Sequence, residues 1–415
     1  MMKFISDYHE KAWHSALDLL KPTPAQLDHG LELHKELFCM DHFGFLPHSC
    51  WNHTIVTKWD EFKERNIGQR AVSKRIEYMQ YDECCKDPEC REQFRLAMKA
   101  SGLKCMVQTV AEGKSREEDF RRMSCNIELL RTFSDVIAQA GSPEEIKRVN
   151  DEGKTAVIWS VNGPPIVGEL QDPEQELETV YDWYRVGVRL MHLSYNRRNM
   201  IADGCTEEAD SGLSALGREL IKRMNKVGII VDVPHTGRQS SIEAALCSDK
   251  PIMASHTAAR ALFDFPRCKD DETLRAIAAS GGMVGVYAYC SMLGGSGDLA
   301  MMLDHIGHIV KTIGIDHVGI GTDLAYQHEW PAEVYAMKTY PDPEFSGRWW
   351  GNWTQAPHAA PKPGEDLYGS LAWINWPLYT VGLVTRGYTD DQIAKILGQN
   401  FLRVLAANQP DDYRK

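Results

Sequence analysis

The chain reads as an α/β protein built as a (β/α)8 TIM barrel, and three observations point there. From about Lys35 onward, short apolar runs alternate with longer amphipathic stretches, the rhythm of strand–helix units on a parallel sheet. Eight such runs can be counted; eight strands suit a closed barrel, although the count alone leaves an open doubly wound sheet in play. Finally, 415 residues at 43% hydrophobic content can fill one large core, and no repeat, low-complexity tract or linker divides them, so residues 1–415 read as a single domain.

The predicted strands lie at 36–41, 104–110, 155–161, 188–194, 228–235, 251–256, 282–289 and 317–323. Helices are expected at 117–139, 173–185, 212–227, 240–247, 270–280, 300–313 and 390–407, the last packing back on the barrel. Asp210 and Ser211 offer N-caps ahead of Leu213, Leu216 and Leu220, and Gly228 ends that helix where a left-handed residue is wanted. Two segments depart from the rhythm: an insertion at 47–102 after the first strand, polar and charged, and an irregular rim segment at 330–369 after the eighth, rich in Pro, Trp and Gly. Long excursions after barrel strands commonly build the rim of an active site or a dimer contact.

Composition removes several classes of function. The formal charge is −12 and no basic stripe is present, which argues against a nucleic-acid partner. No apolar run approaches the roughly 20 residues that span a bilayer, and Asp7, His9, Glu10 and Lys11 interrupt any leader-like stretch at the N-terminus, so no membrane partner is expected. Eleven scattered cysteines, an odd number, read as reduced thiols and a cytoplasmic protein. Cys84, Cys85 and Cys90 lie close together without a second cluster to complete a tetrahedral site, and read as part of a polar rim loop. Cys39 reads as a small buried residue, His48, His53 and His358 lie in the two excursions, and Trp349, Trp350 and Trp353 read as a rim or interface cluster.

In such barrels the reactive side chains stand at the C-terminal ends of the strands. Strand five closes with Asp232-Val233-Pro234-His235, strand six with Ala254-Ser255-His256 and strand eight with Gly321-Thr322-Asp323. Imidazole nitrogens and a carboxylate at matched positions are ligand types for zinc or a similar ion.

These residues carry a family resemblance. Leu193-Ser194-Tyr195-Asn196, Asp203-Gly204, Gly212-Leu213-Ser214, Asp232, His235, Ser255-His256, Arg267 and Gly319-Ile320-Gly321-Thr322-Asp323 resemble the membrane (renal) dipeptidase family, peptidase M19. Asn375-Trp376-Pro377 and Ile396-Leu397-Gly398 extend the likeness toward the C-terminus. The resemblance implies a metal-dependent, amidohydrolase-type barrel that hydrolyses dipeptides with two bridged zinc ions, often as a homodimer. It makes His235 and His256 ligands of the second metal, Asp323 a ligand of the first, and Arg267 the group that grips a substrate carboxylate, a role that suits a planar guanidinium.

The sequence also departs from that pattern. The family's first strand ends Asp-Gly-His-Xaa-Asp-Leu-Pro, with His and the second Asp on the first zinc; this chain has Asp41-His42-Phe43-Gly44-Phe45-Leu46-Pro47. Aligned without gaps, the ligand positions hold Phe43 and Phe45, and His42 is expected to face away from the barrel interior. A slipped register rescues His42 but leaves Gly44 in the paired position. The bridging glutamate is replaced by Asn162, a neutral amide that can touch substrate or offer an oxygen but cannot hold two cations together. Tyr195 stands near the place of a family His and can donate to an oxyanion, with His192 three residues earlier.

The expectation is therefore a dipeptidase-like hydrolase of a small carboxylate-bearing substrate, with zero or one zinc per chain. His235 and His256 are the metal residues, Asp323 and Tyr195 the catalytic pair, Arg267 and Asn162 the substrate contacts. A metal-free enzyme of another reaction class and a noncatalytic member of the family are the alternatives.

Overall fold

A computed structural model describes residues 4–65, 69–166, 172–326, 328 and 369–410. The strands are β1 (Met40–Gly44), β2 (Cys105–Ala111), β3 (Ile137–Gln139), β4 (Thr155–Val161), β5 (Val188–His192), β6 (Ile230–Asp232), β7 (Met253–Thr257), β8 (Met283–Val286) and β9 (Val318–Ile320). Every pairing is parallel, in the order β1-β2-β4-β5-β6-β7-β8-β9. The ends meet just past β9, where Asp323 N donates to Phe43 O (2.9 Å) and Phe45 N to Leu324 O (3.0 Å), so the eight strands close into the expected barrel.

Side chains alternate between two cores, as period-two strands require. Met40, Val107, Ile158, Leu190, Ile230, Met253 and Met283 share one buried cluster with Phe43 and with Phe401, Val404 and Leu405 of the helix Asn400–Ala407, which plugs the barrel floor. Val157, Trp159, Met191, Val231, Ala254, Val284 and Ile320 face the other way, into the layer of surrounding helices.

Helix boundaries show which sequence signals acted. Ser214, rather than Asp210 or Ser211, caps the helix Ala215–Val227 by accepting from Gly217 N, while Gly228 at φ 88° ends it as expected. Asp210 instead holds the start of the next helix, Arg238–Cys247, by accepting from Ser240 N and Oγ.

Three expectations are corrected. The first strand begins at Met40 instead of residue 36, because Pro24–Glu36 is a helix whose capping box, Thr23 with Gln26, starts it firmly; the apolar run there straddles a helix end. The helix expected at 117–139 is Arg116–Thr132, and Ile137–Gln139 becomes β3, which shares an edge of β4 with β5. The insertion after β1 is largely helical, with His53–Glu64, Gln69–Lys86 and Pro88–Ser101; Cys84 and Cys90 are buried on two of these helices rather than exposed in a loop. The rim segment at 330–369, with Trp349, Trp350, Trp353 and His358, falls outside the described residues except for Gly369.

One buried carboxylate ties the barrel seam to the helical layer. Asp41 accepts from Phe43 N (3.2 Å), Thr322 N (2.9 Å), Thr322 Oγ1 (2.6 Å) and Trp373 Nε1 (3.2 Å). Burial pushes its carboxyl up to about 7, against those donors, which favour the anion. A carboxyl raised above its unfolded value of about 4 stabilises the fold fully below that value, and this contribution is lost as pH rises through about 7. Asp41→Asn should therefore flatten the fall in stability between about pH 4 and 7 measured by urea midpoints; an unchanged slope in the variant would exclude Asp41 as its source.

Candidate active site

The site begins with an irregularity in β1. Met40 and Asp41 pair with Cys105 and Met106, but Gly44 pairs with Gln108, so three steps on β1 match two on β2. Such a bulge bends the strand and lets two consecutive side chains approach the same side. Phe43 joins the interior cluster, and His42 also lies inside, stacked on Phe401 of the floor helix at 5.6 Å. Its ring occupies the space above Gly319, where a Cβ would overlap it. The expectation that His42 faces away from the interior is thus overturned by the bulge. His42 nonetheless stays below the cluster described next; burial lowers its imidazole to about 3, so it is neutral.

Phe43 lies flat on His256, with ring centroids 3.9 Å apart, and 5.4 Å from His192; Phe45 meets Phe43 edge-on at 6.0 Å. The two phenyl rings therefore line the space beside His256 with apolar surface. Three imidazoles gather there from the ends of three neighbouring strands: His192 closes β5, His235 follows β6 and His256 sits in β7. The His192 ring is 5.5 Å from each of the other two, and His235 Nε2 is 3.0 Å from His256 Nε2.

Neighbours fix the ring orientations. Asn196, held at φ 63°, accepts from His235 Nδ1 at 2.6 Å, and Ser255 Oγ is 2.9 Å from His256 Nδ1, so both Nε2 atoms turn toward each other. Burial holds both imidazoles well below their ordinary range, with the Arg267 charge adding to the effect, so the pair is neutral. Below them, Asp232 Oδ2 lies 3.1 Å from His192 Nε2 outside good hydrogen-bond geometry, while its Oδ1 accepts from Ser255 N (2.8 Å).

Asp323 follows β9 in the left-handed region, φ 56°, with its backbone tied to Phe43. Burial pushes its carboxyl up to about 6, and Arg267 and then His192 pull it back. Arg267 is fully buried, and its two terminal nitrogens donate to backbone carbonyls, one to Pro234 O and one to His256 O (3.1 Å). Tyr195 stacks on His235 at 4.0 Å with 37% of its surface exposed. Asn162 sits further round the rim, accepting from Thr109 Oγ1 (3.3 Å) and donating to Glu112 (3.1 Å).

Five of the six residues singled out from sequence thus lie in or against one cluster, while Asn162 belongs to its edge. Sequence reasoning left out His192, Asp232 and Asn196 as site residues. Asp232 and Asn196 stood inside the motif runs quoted above, and the strand-end rule would have selected His192 had its strand been ended two residues earlier.

An α/β barrel with imidazoles and carboxylates on the C-terminal ends of its strands belongs to the class of barrels that carry an acid–base or metal site in the mouth. The family model for Membrane dipeptidase (Peptidase family M19) matches residues 89–343, and the chain belongs to that family. Among its relatives, Dipeptidase tcpJ of Claviceps purpurea is 24% identical over 296 residues, covering 70% of this chain and 60% of the relative. Uncharacterized dipeptidase C965.12 of Schizosaccharomyces pombe is 30% identical over 230 residues, 54% of this chain and 53% of that one. The matched region therefore spans between half and three fifths of these relatives' lengths. Among solved structures, an amidohydrolase of Pseudomonas aeruginosa superposes with TM-score 0.66 at 24% identity, covering 92% of this chain and 99% of that one. The probable dipeptidase PvdM of the same organism gives 0.65 at 21%, covering 93% and 99%. Both likenesses support the barrel fold.

The family is one of metallopeptidases, generally zinc-dependent, so the donor set can be tested against that metal. Among the described residues no three or more His, Cys, Asp or Glu side chains are arranged to hold an ion. Phe43 covers one face of His256, and among the described residues the donors that approach one another are paired, His235 Nε2 with His256 Nε2 at 3.0 Å and His192 Nε2 with Asp232 Oδ2 at 3.1 Å. These residues do not fit a two-ion centre, and an ion between the two histidines would have two protein donors. Removing the ring that fills this space should be costly: Phe43→Ala is expected to lose about 3–5 kcal/mol of stability by chemical denaturation. A loss below about 1 kcal/mol would mean that the ring is not packed as described.

Proposed function

We propose that the chain is a dipeptidase-like hydrolase that cleaves an amide bond in a small carboxylate-bearing substrate, carrying zero or one zinc ion. The observation that supports this most directly is the convergence of Asp323, His192, His235 and His256 at the mouth of a barrel in a dipeptidase family. Amide hydrolysis needs a group to take the proton of attacking water and one to give a proton to the leaving amine. Asp323, a buried carboxylate, takes the first role, and the neutral pair His235–His256 passes protons across its 3.0 Å contact. Tyr195, whose ring rests on His235, is placed to donate from its hydroxyl to the developing oxyanion. The phenyl faces of Phe43 and Phe45 favour a compact, partly apolar substrate and keep water from the far side of His256.

The rest of the proposal concerns setting. No described helix is long and apolar enough to cross a membrane. The described cysteines are all free thiols, which supports a cytoplasmic protein acting on small solutes, and the family resemblance supports a homodimer.

A screen of dipeptides, read by release of free amino acids, tests this function. The wild-type protein should release amino acids from at least one dipeptide, and His235→Ala should lose about 100-fold or more of that rate. A variant that matched the parent would remove His235 from the reaction, and a wild-type protein inactive on every dipeptide, with and without added zinc, would overturn the reading.

A further inference from the structure

The contacts around the histidine pair place its protons. His235 Nε2 and His256 Nε2 are 3.0 Å apart, and a hydrogen bond between two ring nitrogens needs a proton on one and a lone pair on the other. Burial keeps both rings neutral, so each carries a single N–H. The choice between them is made on the far side of His235, where Nδ1 lies 2.6 Å from Asn196 Oδ1. An amide oxygen only accepts, so the His235 proton is on Nδ1 and its Nε2 is the lone pair. The rest follows in order: His256 donates from Nε2 to His235, and its own Nδ1 accepts from Ser255 Oγ, 2.9 Å away.

Asn196 is held firmly enough to impose that choice. Its backbone sits at φ 63°, a left-handed conformation that asparagine tolerates better than most residues. Thr206 donates to Asn196 O from both its N (3.0 Å) and its Oγ1 (2.6 Å), while Cys205 N donates to His235 O (2.9 Å). Two consecutive residues of one loop therefore tie down both partners of the 2.6 Å contact. Cys205 Sγ adds a second donor to Asn196 Oδ1 at 3.5 Å. The loop can approach this closely because residue 204 is glycine: a Cβ there would lie 2.1 Å from the Asn196 carbonyl carbon.

We propose that Asn196 is a positioning residue that fixes the tautomers of the histidine pair, holding His235 as Nδ1–H with an accepting Nε2 and, through it, His256 as Nε2–H. Without that acceptor His235 is free to carry its proton on Nε2, and two N–H groups would then face each other across 3.0 Å. The role in turnover rests on the dipeptidase reading, in which His235 Nε2 becomes the accepting atom of the pair and His256 Nε2 the donating one; the placement of the protons does not depend on it.

The test reads the ring protons directly. Protein labelled with ¹⁵N at histidine alone gives long-range ¹H–¹⁵N spectra in which the two tautomers have distinct patterns, and the signals of each ring are identified by their loss in His235→Gln and His256→Gln. The wild type should show His235 protonated at Nδ1 and His256 at Nε2. Asn196→Asp, whose carboxylate also only accepts, should keep His235 protonated at Nδ1. Asn196→Gly suits φ 63° but removes the acceptor; it should lose that fixed pattern and about 10–100-fold of kcat on a dipeptide, with KM little changed. His235 protonated at Nε2 alone in the wild type, or an unchanged pattern in Asn196→Gly, overturns the assignment. If no dipeptide is cleaved, the spectra still decide it, because they need no turnover. A lost pattern with undiminished kcat overturns the role in the reaction.

Discussion

The site depends on the bulge that turns Phe43 into the barrel. One extra residue between Asp41 and Gly44 lets Phe43 lie against His256 while Asp41, two positions earlier, faces the helical layer. Asp41 then anchors the irregular strand from outside: it accepts from Phe43 N itself, from Thr322 beside Asp323, and from the Trp373 indole. Aromatic stacking inside and a four-donor carboxylate outside thus hold the same short segment. Asp323 inherits its place from this arrangement, because its backbone bonds to Phe43 O.

Electrostatics follow from burial more than from pairing. His235 and His256 sit close to the cations of Arg267 and Lys269 and far from water, conditions that disfavour imidazolium and keep the two rings neutral donors and acceptors. Asp323 responds in the opposite sense, raised by burial and partly restrained by Arg267. Arg267 acts on the cluster through its charge and through the strand-end carbonyls it ties together, while its buried Nε is left without a partner.

Much of the architecture was legible because it is written in local apolar runs. All eight barrel strands overlap their predicted ranges, the first only at Met40 and Asp41, because the apolar run that opens at Leu37 begins at the end of the helix Pro24–Glu36. β3 was hidden because three residues carry too little periodicity to separate from the end of a helix. His235, His256 and Asp323 were found because their roles depend on position at a strand end, which sequence order preserves. The bulge was not legible: a register shift is a property of two strands, and only the pairing of Gly44 with Gln108 reveals it. The inward turn of His42 and the backbone engagement of Arg267 share that cause, since both depend on neighbours distant in sequence.

This barrel belongs to a family of metallopeptidases, generally zinc-dependent, while its own first strand presents phenyl rings where the resemblance to that family would place ligands of a second ion. Elemental analysis of active protein, supplied with zinc and freed of loosely bound metal, tests that claim most directly. About one zinc per chain or fewer is the predicted result. A stable content of about two per chain would contradict the account and require ligands other than Phe43 and Phe45 to complete the first site.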